Sequence, residues 1–311
     1  MKLDPQPKNE VASCRSTDDR TCRFRPILGS GFRLAVEVTR RCNLPCLHCF
    51  VPRENLEPSL EMLIPLLQQA RLSGCRKVLL TGGEPLLRSD LEAIISACAW
   101  NGMLVDLNSN LLTLDWERAR HLQEAGLGEV SVSLHGDRTS HDWLCGRPGC
   151  YDRTVQAIET LLNLGLPVDV HGALWNGSLP GLPSLVRLCE KLGVASLTLF
   201  QIIPLKHAST AAGGYPLSKV GTWEQLACLR AQAGIPIRTI GLCAADLEEC
   251  VMGSGLLGID ASLHLLPCLL ADNPQGGIPL QAGGFASALE QLATQLTRRT
   301  WAPACVPAQA N

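Results

Sequence analysis

Apolar and polar positions along this chain alternate in blocks. Leu34–Val38 is a β-rich run, and Leu60–Leu72 carries apolar residues at helical spacing. Val78–Leu80 reads as a short buried strand leading into Gly82-Gly83, and Asp90–Trp100 as an amphipathic helix with Ser89 or Asp90 as N-cap. The same rhythm continues with a strand at Leu104–Leu107 and a helix at Trp116–Ala125 closed by Gly126. Next come a strand at Val130–Leu134 and a helix at Val155–Leu164 closed by Gly165. A strand at Val168–Gly172, a helix at Pro183–Leu192 closed by Gly193 and a sixth strand at Leu197–Ile202 complete it. Six strands alternating with five helices predict a parallel sheet with right-handed crossovers. Six repeats are too few for a closed eight-fold barrel, so the expected fold class is α/β, an open partial (β/α)6 barrel. In such folds ligands bind past the carboxyl ends of the strands, where this chain places its polar signatures.

The pattern divides the chain into three parts. Residues 1–31 lack periodicity and read as an N-terminal extension; residues 32–204 form the expected core; residues 205–311 form a small cysteine-rich extension. In the last part a helix is expected at Trp223–Gln232, and Gly258–Leu266 reads as a β-hairpin with its turn near Asp260–Ser262.

Composition narrows the function classes. Hydrophobic residues make up 46% of the 311, enough for a large core, and the net charge of −2 lacks the basic footprint of a DNA binder. No apolar run is long enough to span a bilayer, and Met1–Cys22 has no apolar signal-peptide region, so the expectation is a cytoplasmic protein without a membrane partner. In that compartment fifteen cysteines point to metal or redox chemistry. Cys75, Cys98, Cys189 and Cys228 sit singly in helix-like or strand-edge contexts and are expected as buried small hydrophobes.

The chemistry-bearing segment is Cys42-Asn-Leu-Pro-Cys46-Leu-His-Cys49, directly after the first strand. Three thiolates on one loop can hold three irons of a cubane cluster and leave the fourth iron open to a substrate. A zinc site that adds His48 is the rival reading, although neighbours on so tight a loop rarely all point inward. After the second strand comes Thr81-Gly82-Gly83-Glu84-Pro85, where the glycines admit close approach to the backbone and Glu84 offers an acceptor for an ammonium group. A plain βα turn would also use Gly-Gly.

Together, C-x3-C-x2-C after strand one and Gly-Gly-Glu-Pro after strand two resemble the radical S-adenosylmethionine superfamily, over roughly residues 33–203. The resemblance implies a [4Fe–4S] cluster on Cys42, Cys46 and Cys49. Its open iron would be chelated by S-adenosylmethionine, with Gly82, Gly83, Glu84 and Pro85 at the methionyl ammonium. It also implies an electron donor such as a flavodoxin or ferredoxin, and a small-molecule or peptide substrate. His48 stands where relatives usually carry an aromatic residue. Asn110 and Ser133 stand at further cofactor-binding positions of the family; relatives often carry an arginine at the place of Cys145, and Arg147 is the expected substitute for it. Cys243, Cys250, Cys268 and Cys305 resemble the ligand set of a twitch or shortened SPASM extension, implying a second, auxiliary [4Fe–4S] cluster; unpaired structural cysteines are the alternative. The competing function is a non-catalytic iron–sulfur or zinc-binding carrier or scaffold.

Overall fold

The computed structural model describes residues 31–202, 219–240, 255–269, 271–272, 276–280, 284–297 and 302–303. Six strands, β1 Phe32–Thr39, β2 Cys75–Gly82, β3 Leu104–Ser109, β4 Glu129–Ser133, β5 Val168–Leu174 and β6 Ser196–Gln201, lie side by side and parallel in chain order. The helices between them are α1 Leu60–Leu72, α2 Leu91–Trp100, α3 Trp116–Glu124, α4 Arg138–Cys145, α5 Cys150–Asn163 and α6 Leu182–Leu192. Strands covered on both faces read as continuous apolar runs. Leu34, Val36 and Val38 on β1 are accordingly fully buried, as are Val130 and Val132 on β4 and Val168 and Val170 on β5.

The sheet does not stop at six strands. After α7 Lys219–Gln232, β7 Ile237–Ile240 pairs parallel with β6. At the other side β8 Leu256–Ile259 pairs parallel with β1. Eight consecutive parallel strands result, with β9 His264–Leu266 and β11 Ile278–Pro279 added antiparallel beyond β8. The C-terminal part thus continues the core sheet on the open side of β1. A two-stranded pair, β10 Ala271–Asp272 with β12 Ala302–Pro303, lies outside it. Helix α8 Gly284–Thr297 covers the added strands, and its Phe285 stacks on Phe32 of β1, ring centroids 5.8 Å apart.

Local chemistry explains several boundaries. Asp115 and Asp137 cap α3 and α4 by accepting from the Arg118 and Ser140 amides at 2.7 and 2.8 Å. Asp90 stands at the N-terminus of α2 without a side-chain cap; its carboxylate instead takes both Nε and Nη2 of Arg88. Of the four cysteines expected in the core, Cys75, Cys98 and Cys189 are fully buried, whereas Cys228 is exposed on α7 and accepts from Gln232. That helix presents one face outward, and position 228 falls on it.

Candidate radical S-adenosylmethionine site

The loop carrying Cys42, Cys46 and Cys49 follows β1 and is fastened at four places. At the end of β2, Gly83 N and Glu84 N donate to Thr39 O and Arg41 O at 2.7 and 2.8 Å. A Cβ on Gly82 would stand 2.2 Å from Thr39 O, and one on Gly83 2.3 Å from Arg41 O. The glycines therefore let two backbone segments touch, which is a different reason from the ligand approach read in the sequence. At the end of β3, Asn110 Nδ2 donates to Asn43 Oδ1 at 2.8 Å. Leu47 N donates to Leu144 O of α4 at 2.9 Å. Buried Arg88 donates to Val38 O and Pro58 O at 2.7 and 2.8 Å, holding both ends of the segment.

Glu84 occupies a place the sequence did not suggest. Its side chain is fully buried, and its two oxygens accept from Leu86 N at 2.9 Å, Ser109 Oγ at 2.7 Å and Asn110 N at 2.8 Å. Burial pushes this carboxyl up, and the three donors oppose that. The carboxylate is a clamp between β2 and β3; the groups left facing the loop are the backbone of Gly82–Pro85. Pro85, also buried, starts a 3-10 turn over Pro85–Leu87. Asn110 is half-buried, its Oδ1 accepting from Leu112 N at 3.0 Å. Ser133 ends β4, half-buried, in register with His171 of β5. Arg147 lies exposed just past α4. Asn110 is thus joined to the cysteine loop directly, Ser133 stands at a carboxyl strand end, and Arg147 sits on the rim.

Desolvation pushes the Cys42 thiol up to about 11, a backbone hydrogen bond at Leu44 opposes this, and negative charge on Glu84, Cys46 or Cys49 adds to the rise. Such a triad suits a cation that replaces the protons. Two buried polar atoms, His48 Nδ1 on the loop and Asn108 Oδ1 on β3, have no hydrogen-bond partner in the protein. His48 does not complete a zinc set with the thiols; its ring packs edge-on against His135 at 4.8 Å, and burial and His141 push its pKa down to about 4. These residues fit a three-thiolate cluster with a polar cosubstrate beside it. Cys268 is described and partly buried just past β9; Cys243, Cys250 and Cys305 lie outside the described residues.

One group went unread in the sequence. Cys46 packs against a small buried cluster made of Leu44, Leu112, Cys145 and Cys150. Cys145 also approaches His141 of the same helix, at 3.6 Å from Nε2. The signal was His141-x3-Cys145, a helical spacing that puts both side chains on one face. On the outer side Trp143, half exposed, stacks on buried Trp175 at 6.1 Å, and Leu47 of the cysteine loop packs against Trp175 and Leu144.

The class follows from the fold and this loop: residues 36–177 match the Radical SAM superfamily model, and the chain carries a domain of that superfamily. Among sequence relatives, the AdoMet-dependent heme synthase of Oleidesulfovibrio alaskensis is 29% identical over 57% of this chain and 47% of its own. A probable GTP 3',8-cyclase of Halobacterium salinarum is 35% identical over 56% of this chain and 51% of its own. The chain spans about half the length of the curated relatives it matches. The fold is also that of Streptococcus suis SuiB bound to S-adenosylmethionine, with a TM-score of 0.65 at 17% identity, covering 77% of this chain and 60% of that one.

Proposed function

We propose that this chain is a radical S-adenosylmethionine enzyme acting in the maturation of a cofactor, peptide or natural product. The observation that carries the reading is the three-cysteine loop locked to the Gly82–Pro85 backbone at the carboxyl edge of the sheet. When bound, the cluster would supply the electron that splits S-adenosylmethionine into methionine and a 5'-deoxyadenosyl radical able to take hydrogen from a substrate. The chain's own work is positional. Cys42, Cys46 and Cys49 would hold the cluster, and the Gly82–Pro85 backbone would face the methionyl group. Asn110 steadies the loop through Asn43. Half-buried His48 of the loop packs edge-on against buried His135.

Relatives named for heme synthesis and GTP cyclisation favour a small cofactor precursor over a peptide, and the Trp143–Trp175 stack beside Leu47 offers such a ring an apolar wall. An auxiliary cluster on Cys243, Cys250, Cys268 and Cys305 belongs to the same proposal, as do a flavodoxin or ferredoxin donor and a cytoplasmic location. Among the described residues no helix is long and apolar enough to cross a membrane.

The test is anaerobic reconstitution followed by S-adenosylmethionine and dithionite. Wild type should release 5'-deoxyadenosine, and replacement of Cys42, Cys46 and Cys49 together by Ala should abolish it. Iron remaining in that triple variant would mark the auxiliary cluster; full cleavage activity in it would end the reading.

A further inference from the structure

We propose that His171 Nδ1 accepts a hydrogen bond from a ribose hydroxyl of S-adenosylmethionine and so anchors the nucleoside half of that molecule. This contact rests on the reading above, in which the Gly82–Pro85 backbone faces the methionyl group. His171 lies on β5, outside every motif of the sequence.

Alternate residues of a strand share one face. On β4–β6 one set packs with the helices in the main core, Val130, Val132, Val168, Val170 and Leu197 among them. The other set is polar: Ser131 and Ser133 on β4, Asp169 and His171 on β5, Ser196 and Thr198 on β6. Ser133, His171 and Thr198 stand in register as one row across the three strands. Beneath that row lies the buried carboxylate of Asp169. It accepts from Ser196 Oγ at 2.7 Å, Thr198 Oγ1 at 3.0 Å and His171 Nε2 at 3.2 Å. Burial alone would raise this carboxyl; the bonds from His171, Ser196 and Thr198 outweigh it and hold it below its usual range. Arg238 of β7 in turn donates to Ser196 Oγ at 2.8 Å.

The tautomer follows from the carboxylate. An ionised Asp169 only accepts, so the His171 hydrogen sits on Nε2 and the neutral ring keeps a lone pair on Nδ1. Phe200 packs on the same ring, centroids 4.8 Å apart. His171 is half-buried, and among the described residues its Nδ1 has no partner. Two nearby histidines differ. His135 Nδ1 accepts from Ala173 N and His141 Nδ1 from His135 N, both at 3.1 Å. Thr198 is buried and spends its hydrogen on Asp169. The acceptors left open in the row are Ser133 Oγ and His171 Nδ1. Measured along the sheet, β4 and β5 lie about 10 and 14 Å from β2. A methionyl group at β2 therefore carries the ribose toward β4 and β5, where its two hydroxyls find acceptors.

Reconstituted full-length protein without reductant binds S-adenosylmethionine without turnover, and equilibrium dialysis reads the affinity. His171→Ala should weaken binding about fivefold, the worth of one such hydrogen bond, with iron content unchanged. His171→Asn keeps an acceptor near the Nδ1 position and should recover most of the loss. The 2'-deoxy and 3'-deoxy analogues locate the bond. One of them should bind wild type about fivefold more weakly than S-adenosylmethionine, and His171→Ala should cost that analogue nothing further. In wild type, S-adenosylmethionine should also shield His171 from diethyl pyrocarbonate, read by peptide mass spectrometry; this measurement decides even if the Ala variant fails to assemble. Unchanged affinity in His171→Ala, an equal loss there for S-adenosylmethionine and both analogues, or His171 labelled as fast with S-adenosylmethionine as without it would each overturn the proposal. A wild type that binds no S-adenosylmethionine at all would instead defeat the reading on which it stands.

Discussion

At the scale of single residues, two buried groups decide what the site tolerates. Glu84 satisfies three donors from inside the protein. Its removal leaves Leu86 N, Ser109 Oγ and Asn110 N without their acceptor, at about 1–3 kcal/mol for each buried group left unpaired. Glu84→Ala should therefore lower unfolding free energy by about 3 kcal/mol or more in urea titration; a loss below about 1 kcal/mol would show that the clamp is not built as described. His135 gives a pH dependence. Burial, then the charges of His48, His141 and His171, hold its pKa well below the ordinary 6.5. The unfolded chain binds a proton there near 6.5 and the folded chain does not, so stability is full above that pH and falls as pH drops below it. Asn at position 135 offers an oxygen to Ala173 N and has no proton to gain. The fall in Tm between pH 7 and 5 should be smaller in His135→Asn; an equal fall would mean that the imidazole is not the group sensed.

Elements carried by strong periodicity were legible in the sequence. The expected strands fall within a few residues of β1–β6, because fully covered strands need uninterrupted apolar runs. Helix α1 matches its expected range, Leu60–Leu72, residue for residue. Among the elements not read, three show why. Helix α4 has only eight residues between its Asp137 cap and Gly146 in the left-handed region, too few to establish a period. Strand β7 alternates half-buried and exposed residues and is recognisable only by its neighbour β6. Helix α8 has its buried face at Phe285, Ala288, Leu289, Leu292 and Leu296, a pattern present in the sequence but set among Gly- and Pro-rich segments. In the site, the motif residues were legible and their directions were not: which way a carboxylate turns depends on the donors of strands far away in the chain. The Gly82-Gly83 pair is a case with a consequence for the whole loop. Gly83→Ala would drive a Cβ into Arg41 O and part the cysteine loop from β2. Iron bound per chain after anaerobic reconstitution should fall well below wild type, with the far-UV circular dichroism retained; full loading would show that the loop does not need this contact.

For the whole molecule, the C-terminal hairpin is part of the sheet that holds the cysteine loop. Its turn is tied to β1 by Ala261 N donating to buried Glu37 at 3.1 Å, and Asp260 lies 3.7 Å from Arg40, two residues before Cys42 in the chain. Leu34 and Val36 stand in register with Leu257 and Ile259. A chain ending at residue 240 would leave the outer edge of β1 with unpaired backbone groups, a template for pairing with other chains. Size-exclusion chromatography should find that truncated chain aggregated; a stable monomer would show the hairpin to be dispensable.

That bond between Ala261 and Glu37 joins residues 224 positions apart. A ribosome adding about 5–20 residues per second takes about 11–45 s to cover this interval. Through all of that time the first strand waits for a partner the messenger has not yet delivered. A circular permutation that places residues 255–297 ahead of residue 31 would have both partners in hand near the start of synthesis. The permuted chain should give a larger soluble fraction at high expression rates than the natural order, with the same strand pairs in the finished protein.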